Sequence, residues 1–141
     1  MIGLDTNVLA RYYVASTPGL DDAATVKQCE AARVLIDSGK RLMVSKTVIL
    51  ELEWVLRGSY ALTVRQIEQV LAHLLSLGHV EIEDKVAVQA AAAALSRGFD
   101  FADALHHASY RMCTSVATFD NKSFARRARS TGLKPPVHLL A

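Results

Sequence analysis

Apolar runs of three or four residues recur along this chain, and all but the last lead into a longer segment with helical spacing. The runs are Ile2-Gly3-Leu4, Leu42-Met43-Val44, Val80-Glu81-Ile82, Val116-Ala117-Thr118 and Val137-His138-Leu139-Leu140. Segments this short and apolar read as buried strands. Strands separated by helices pair in parallel, through crossovers that place helices on both faces of the sheet. The expected class is α/β, a three-layer α/β/α sandwich around a short-stranded parallel sheet.

The intervening segments carry their own start and stop signals. Residues 6–13 follow Asp5 directly. A loop is expected over residues 16–19, and Asp21 and Asp22 open a helix that stops at Ser38-Gly39. A third helix runs from near Thr47 to Arg57-Gly58. Thr63-Val64-Arg65-Gln66 is a capping box for a fourth, ended by Gly78. Asp84 is placed to cap an alanine-rich helix over residues 86–97, with Gly98 as its terminator; the alanine run reads as a tightly packed face. Two further helices are expected over residues 100–112 and 121–129.

At 141 residues the chain suits a single domain over 1–141, burying about two thirds of its unfolded surface. Its hydrophobic share of 51% excludes a disordered chain. It has no charge-free apolar stretch of roughly 18 residues or more, and Met1 opens straight onto structure, so neither a membrane span nor a signal peptide is expected. Cys29 and Cys113 stand far apart in no CxxC pairing. They read as two buried thiols in a reducing cytoplasm, and they supply no zinc site.

Asp5 ends the first strand, where ligands gather in open α/β sheets; by itself it also suits a helix cap. Asp120 repeats that arrangement after Val116-Ala117-Thr118. Asp103 follows the cap residue Asp100 by three positions, among Phe101, Ala102, Ala104 and Leu105, where an unpaired carboxylate is costly. In Val48-Ile49-Leu50-Glu51-Leu52-Glu53-Trp54, Glu51 and Glu53 fall on opposite flanks of an apolar stripe. Flanking acids are usually solvated, as Glu53 is expected to be, and position alone does not separate the two. Carboxylates that converge repel unless protons or divalent cations intervene. Oxygen ligands without cysteine select a hard cation such as Mg²⁺ or Mn²⁺, which can polarise a phosphate and lower the pKa of a bound water. Setting four such carboxylates apart from a net charge of +2 leaves the remaining surface at +6, suited to a nucleic acid.

Leu4-Asp5-Thr6-Asn7-Val8-Leu9, the Glu51 helix, Asp100-Phe101-Ala102-Asp103-Ala104-Leu105 and Ala117-Thr118-Phe119-Asp120 occur in an order that resembles PIN-domain ribonucleases. Among these the likeness is to the VapC-type toxins of bacterial toxin–antitoxin pairs. The resemblance implies a PIN-like fold and a metal site formed by Asp5, Glu51, Asp103 and Asp120, with Asp100, Asn7 and Thr118 orienting those ligands. It implies Mg²⁺- or Mn²⁺-dependent hydrolysis of RNA, with structured RNA such as tRNA or rRNA as substrate. It also implies a homodimer and a cognate antitoxin.

Other features carry weaker signals. His106 and His107 read as a helix-surface or core-edge pair, because oxygen-seeking cations rarely recruit imidazole. Lys122 and Arg126 share a helix face suited to phosphate contacts. Leu50 and Trp54, with Tyr60, Leu62 and Ile67, are expected to form a second apolar surface for a partner. A phosphoaccepting receiver domain is disfavoured because Asp5 lacks an acidic neighbour, and a DxDxT phosphatase because Thr6-Asn7 follow Asp5. A PIN nuclease of general RNA processing and an RNA-binding PIN module without cleavage remain as alternatives.

Overall fold

A computed structural model describes residues 1–17 and 19–140. The chain divides into two compact units, Met1–Glu83 and Asp84–Ala141, and each is described by itself. Pro18, within the expected loop, lies outside the described residues, as does Ala141.

The first unit holds a parallel sheet in the order β1-β2-β3, formed by β1 (Ile2–Gly3), β2 (Leu42–Val44) and β3 (Val80–Ile82). Ile2 pairs with Leu42, and Leu42 in turn with Val80. Four helices accompany it: α1 (Thr6–Tyr13), α2 (Ala23–Ile36), α3 (Lys46–Gly58) and α4 (Val64–Ser76). Helix α1 packs against α2 and α3, and α4 against α3 and β3. The Leu9, Ile36, Leu42, Val44, Ile49, Leu52, Leu56, Leu71 and Leu74 side chains are all but fully buried. Each such aliphatic side chain contributes about 1.5–3 kcal/mol of burial.

The helix starts follow from local chemistry. Asp22 accepts from the Thr25 amide at 2.7 Å, and Ser45 from the Val48 amide at 3.2 Å. The Thr63–Gln66 capping box forms in both directions. Ser45, one position ahead of Lys46, is what starts α3 before Thr47.

The second unit consists of α5 (Lys85–Leu95), α6 (Phe101–Ser109), β4 (Val116–Thr118), α7 (Ser123–Ser130) and β5 (Val137–Leu139). Strands β4 and β5 pair in parallel, Val116 opposite Val137. Helix α5 packs on α6, and α7 covers β5 through Ala125, Ala128 and Val137. All strand pairings in the described residues are parallel, as the alternation of strands and helices required.

Several local expectations are corrected. Asp84 stands at the start of α5 with φ of 51° and makes no side-chain cap; its carboxylate pairs instead with Arg111 at 2.8 Å. Helix α6 ends at Ser109 rather than Met112, and α7 begins at Ser123 rather than Asn121. Cys113 is exposed and Cys29 only partly covered, so neither is a buried thiol. Of the alanine run, Ala91 and Ala94 are buried while Ala90 and Ala93 face solvent. Among the described residues, no helix is long and apolar enough to cross a membrane.

Candidate metal centre

In the first unit, Asp5 lies just beyond the carboxyl end of β1 and caps α1: its Oδ1 accepts from the Thr6 amide at 2.8 Å. Its carboxylate remains exposed. The next residue makes the connection that matters. Thr6 is 5% exposed, and its hydroxyl donates to Glu51 Oε1 on α3. Backbone and side chain of one threonine thus hold two carboxylates, Asp5 and Glu51, from positions 46 residues apart.

Glu51 and Glu53, equivalent by position, have opposite environments. Glu51 is exposed apart from its bond to Thr6. Glu53 is 3% exposed and pairs with Arg57 one turn later, Nε to Oε2 at 2.9 Å. The expectation of a solvated Glu53 is therefore overturned: its burial is compensated by an i,i+4 ion pair within α3, which a stripe analysis does not reveal. With both carboxylate oxygens engaged by one guanidinium, Glu53 is committed to structure.

In the second unit, Asp103 and Asp120 line one cavity of about 150 Å³, together with His106, His107, Thr118 and Phe124. Asp100 caps α6 by accepting from the Asp103 amide at 3.1 Å. The Asp103 side chain is left free to face the cavity. Its pKa is raised above the usual carboxylate value, first by burial and then by the charges of Asp100 and Asp120, with His106 acting in the opposite direction. Asp120 is not the cap of α7. Its amide donates to Thr118 Oγ1 at 3.0 Å and its Oδ1 accepts from the Lys122 amide at 2.8 Å, a turn that fixes the carboxylate ahead of the helix.

Asp100 and Thr118 hold the backbone of Asp103 and Asp120 respectively. Asn7 instead lines a groove with Arg11 and Gln28, and Thr6 is the residue bonded to both Asp5 and Glu51. Sequence reasoning missed Thr6, although its place directly after Asp5 was the available signal. His107 is buried and bonds through Nε2 to the Pro135 carbonyl at 2.7 Å, whereas His106 is exposed. Of the two residues expected at a helix surface or core edge, His106 is thus at the surface and His107 in the core.

Carboxylate oxygens are donors of the kind a hard divalent cation takes, and Asp103 is a carboxylate held beside the like charges of Asp100 and Asp120. Among the described residues, no group of three or more His, Cys, Asp and Glu is placed to hold a metal ion.

Lys122 and Arg126 are exposed at the start of α7. On α3, Trp54 is 64% exposed and Leu50 half-buried, while Tyr60 and Leu62 are partly covered. Ile67, expected to join them, is core at 1% exposure, because α4 turns its apolar stripe of Ile67, Leu71 and Leu74 inward.

The model of the PIN domain matches residues 2–130. No curated protein and no solved structure shows significant similarity to the chain. Parallel short strands, an aspartate ending β1, another following β4 and a match covering nearly the whole length lead to one assignment: the chain belongs to the PIN domain family, whose members are in the main nucleases.

Proposed function

We propose that this chain is an Mg²⁺- or Mn²⁺-dependent endoribonuclease acting as the toxin of a VapBC-type toxin–antitoxin pair. The observation that carries the catalytic part is the Asp103–Asp120 cavity. It keeps a carboxylate partly desolvated beside like charges, a cost that a proton or a bound cation relieves. Asp5, Glu51, Asp103 and Asp120 are the residues that would hold the ion. When bound, the cation supplies charge for the scissile phosphate and lowers the pKa of a water for in-line attack.

The chain's own residues prepare that chemistry. Thr6 fixes Glu51 against α1 and presents Asp5 at the same point. Asp100 and Thr118 hold the backbone on which Asp103 and Asp120 stand. Such outer groups commonly determine ligand orientation and are costly to remove. Lys122 and Arg126 carry positive charge for flanking phosphates. Cleavage leaves a 3′-hydroxyl and a 5′-phosphate.

The toxin reading draws on the resemblance of the motifs, and it makes the exposed Trp54, one turn from the half-buried Leu50, part of a partner surface. It makes residues 1–141 one functional domain in the cytoplasm, a homodimer, with a cognate antitoxin and a structured RNA such as tRNA or rRNA as target. Expression of the chain alone and together with its neighbouring reading frame, with sequencing of the 5′ ends of cellular RNA, tests this. Growth arrest with discrete new 5′-phosphate ends, relieved by the neighbour, is expected. Harmless expression with unchanged RNA ends would overturn the toxin role.

A further inference from the structure

Two cavities of the second unit share a wall. The acidic cavity and a neighbouring one of about 140 Å³ are both lined by His107 and Phe124. The second cavity is hollow because small residues line it, among them Ala90, Ala94 and Ala104, and its remaining lining includes Arg97, Arg111 and Lys134. We propose that this second cavity is a subsite for one unpaired nucleotide of the RNA strand, seating its base beside the acidic pocket. This deepens the nuclease reading and rests on it.

Charge identifies the ligand as anionic. The guanidinium carbons of Arg97 and Arg127 lie 5.4 and 5.8 Å from the centroid of the Phe99 ring. Arg127, which is not part of the cavity lining, donates from Nη1 to the Arg97 backbone carbonyl at 2.8 Å. Gly98 between them, with φ of +81°, leaves room where a Cβ would strike Arg127. Arg111 already has a carboxylate in Asp84. Among the described residues, Arg97 and Lys134, both in the cavity lining, have none within ion-pair distance, so an anion would find uncompensated positive charge there.

Shape identifies the rest of the ligand as flat and apolar. Alanine walls and the Phe124 ring offer no directional polar partner, and guanidinium planes are stacking platforms for unpaired bases in RNA. A nucleotide joins a flat ring with apolar faces to a phosphate, and so suits both features. His107, fixed by its bond to Pro135, separates this cavity from the acidic one as a rigid partition. A strand with one base in the second cavity would therefore carry an adjacent phosphate toward Asp103 and Asp120.

The test uses full-length Asp5→Asn protein, which keeps the second unit intact and slows cleavage. Binding is measured to single-stranded oligoribonucleotides of one sequence, each with one abasic position. One position should be sensitive, with about a tenfold loss of affinity when its base is missing, the usual worth of a stacked base. Arg97→Ala should erase that dependence, and Arg97→Lys should not restore it, because lysine has charge without a plane. Ala90→Phe, which fills the cavity from an exposed helix position, should erase it too. Thermal melts show whether each variant is folded. Equal sensitivity at all positions, or a sensitive position unchanged in both variants, would overturn the subsite and leave the nuclease reading standing. A wild-type chain that neither binds nor cuts RNA would overturn both.

Discussion

The buried Thr6 hydroxyl donates to Glu51 Oε1, joining the first turn of α1 to the middle of α3. Because the Thr6 amide is also held by Asp5, the position of each carboxylate depends on the same residue.

Thr6→Val keeps the shape and removes the donor. RNA cleavage should fall roughly 10–100-fold, the usual effect of losing a group that orients a metal ligand, while stability changes by about 1 kcal/mol. Cleavage assays beside thermal melts check this. Unchanged cleavage would show that the Thr6–Glu51 bond has no part in the site.

Glu51 and Glu53 should separate cleanly. Glu51→Gln is expected to abolish cleavage with little effect on melting. Glu53→Gln is expected to leave cleavage near wild type while costing about 1–3 kcal/mol, because it weakens a buried charge-assisted pair with Arg57. The reverse pattern would exchange their roles.

Asp103 gives the apoprotein a pH dependence of definite sign. Its pKa is raised in the folded state by burial and by Asp100 and Asp120. Protonated Asp103 therefore favours the fold. That stability is fully present below the ordinary carboxylate pKa and is lost as pH rises through the raised value. Metal-free Asp103→Asn should melt above wild type at neutral pH, and the difference should vanish at acid pH, in melts run across that range. A difference that grew toward acid would contradict the assigned cause.

Trp54 tests the partner surface separately from the chemistry. Trp54→Lys, at an exposed position of α3, should shift the oligomeric state or weaken capture by the neighbouring gene product, without changing metal affinity. Sedimentation and pull-down measure the first two, and calorimetry the third. An unchanged oligomer with unchanged capture would make this face an ordinary surface.

What the sequence made legible was local. The Thr63–Gln66 box, the Asp22 cap and the Asp100 cap each depend on residues three positions apart, and all three form. Strand positions were legible because a three-residue apolar run between helices has few other fates. What was hidden depended on partners distant in sequence or on backbone conformation. Glu53 is buried because Arg57 reaches back to it, Asp84 turns away from its cap because its backbone is left-handed, and Ile67 belongs to the core. The Asp120 turn reads as a cap until the helix start is seen at Ser123. Candidate site residues were legible chiefly through motif likeness; that Thr6 orients Glu51 required coordinates.

The most direct test of the account is cleavage of defined RNA by the purified chain, with Mg²⁺ or Mn²⁺ and with chelator, beside Asp103→Asn. The account predicts metal-dependent cuts bearing 5′-phosphates, lost on chelation, restored by added metal, and absent from Asp103→Asn, which remains folded. Cleavage that persists in chelator and in folded Asp103→Asn protein would contradict it.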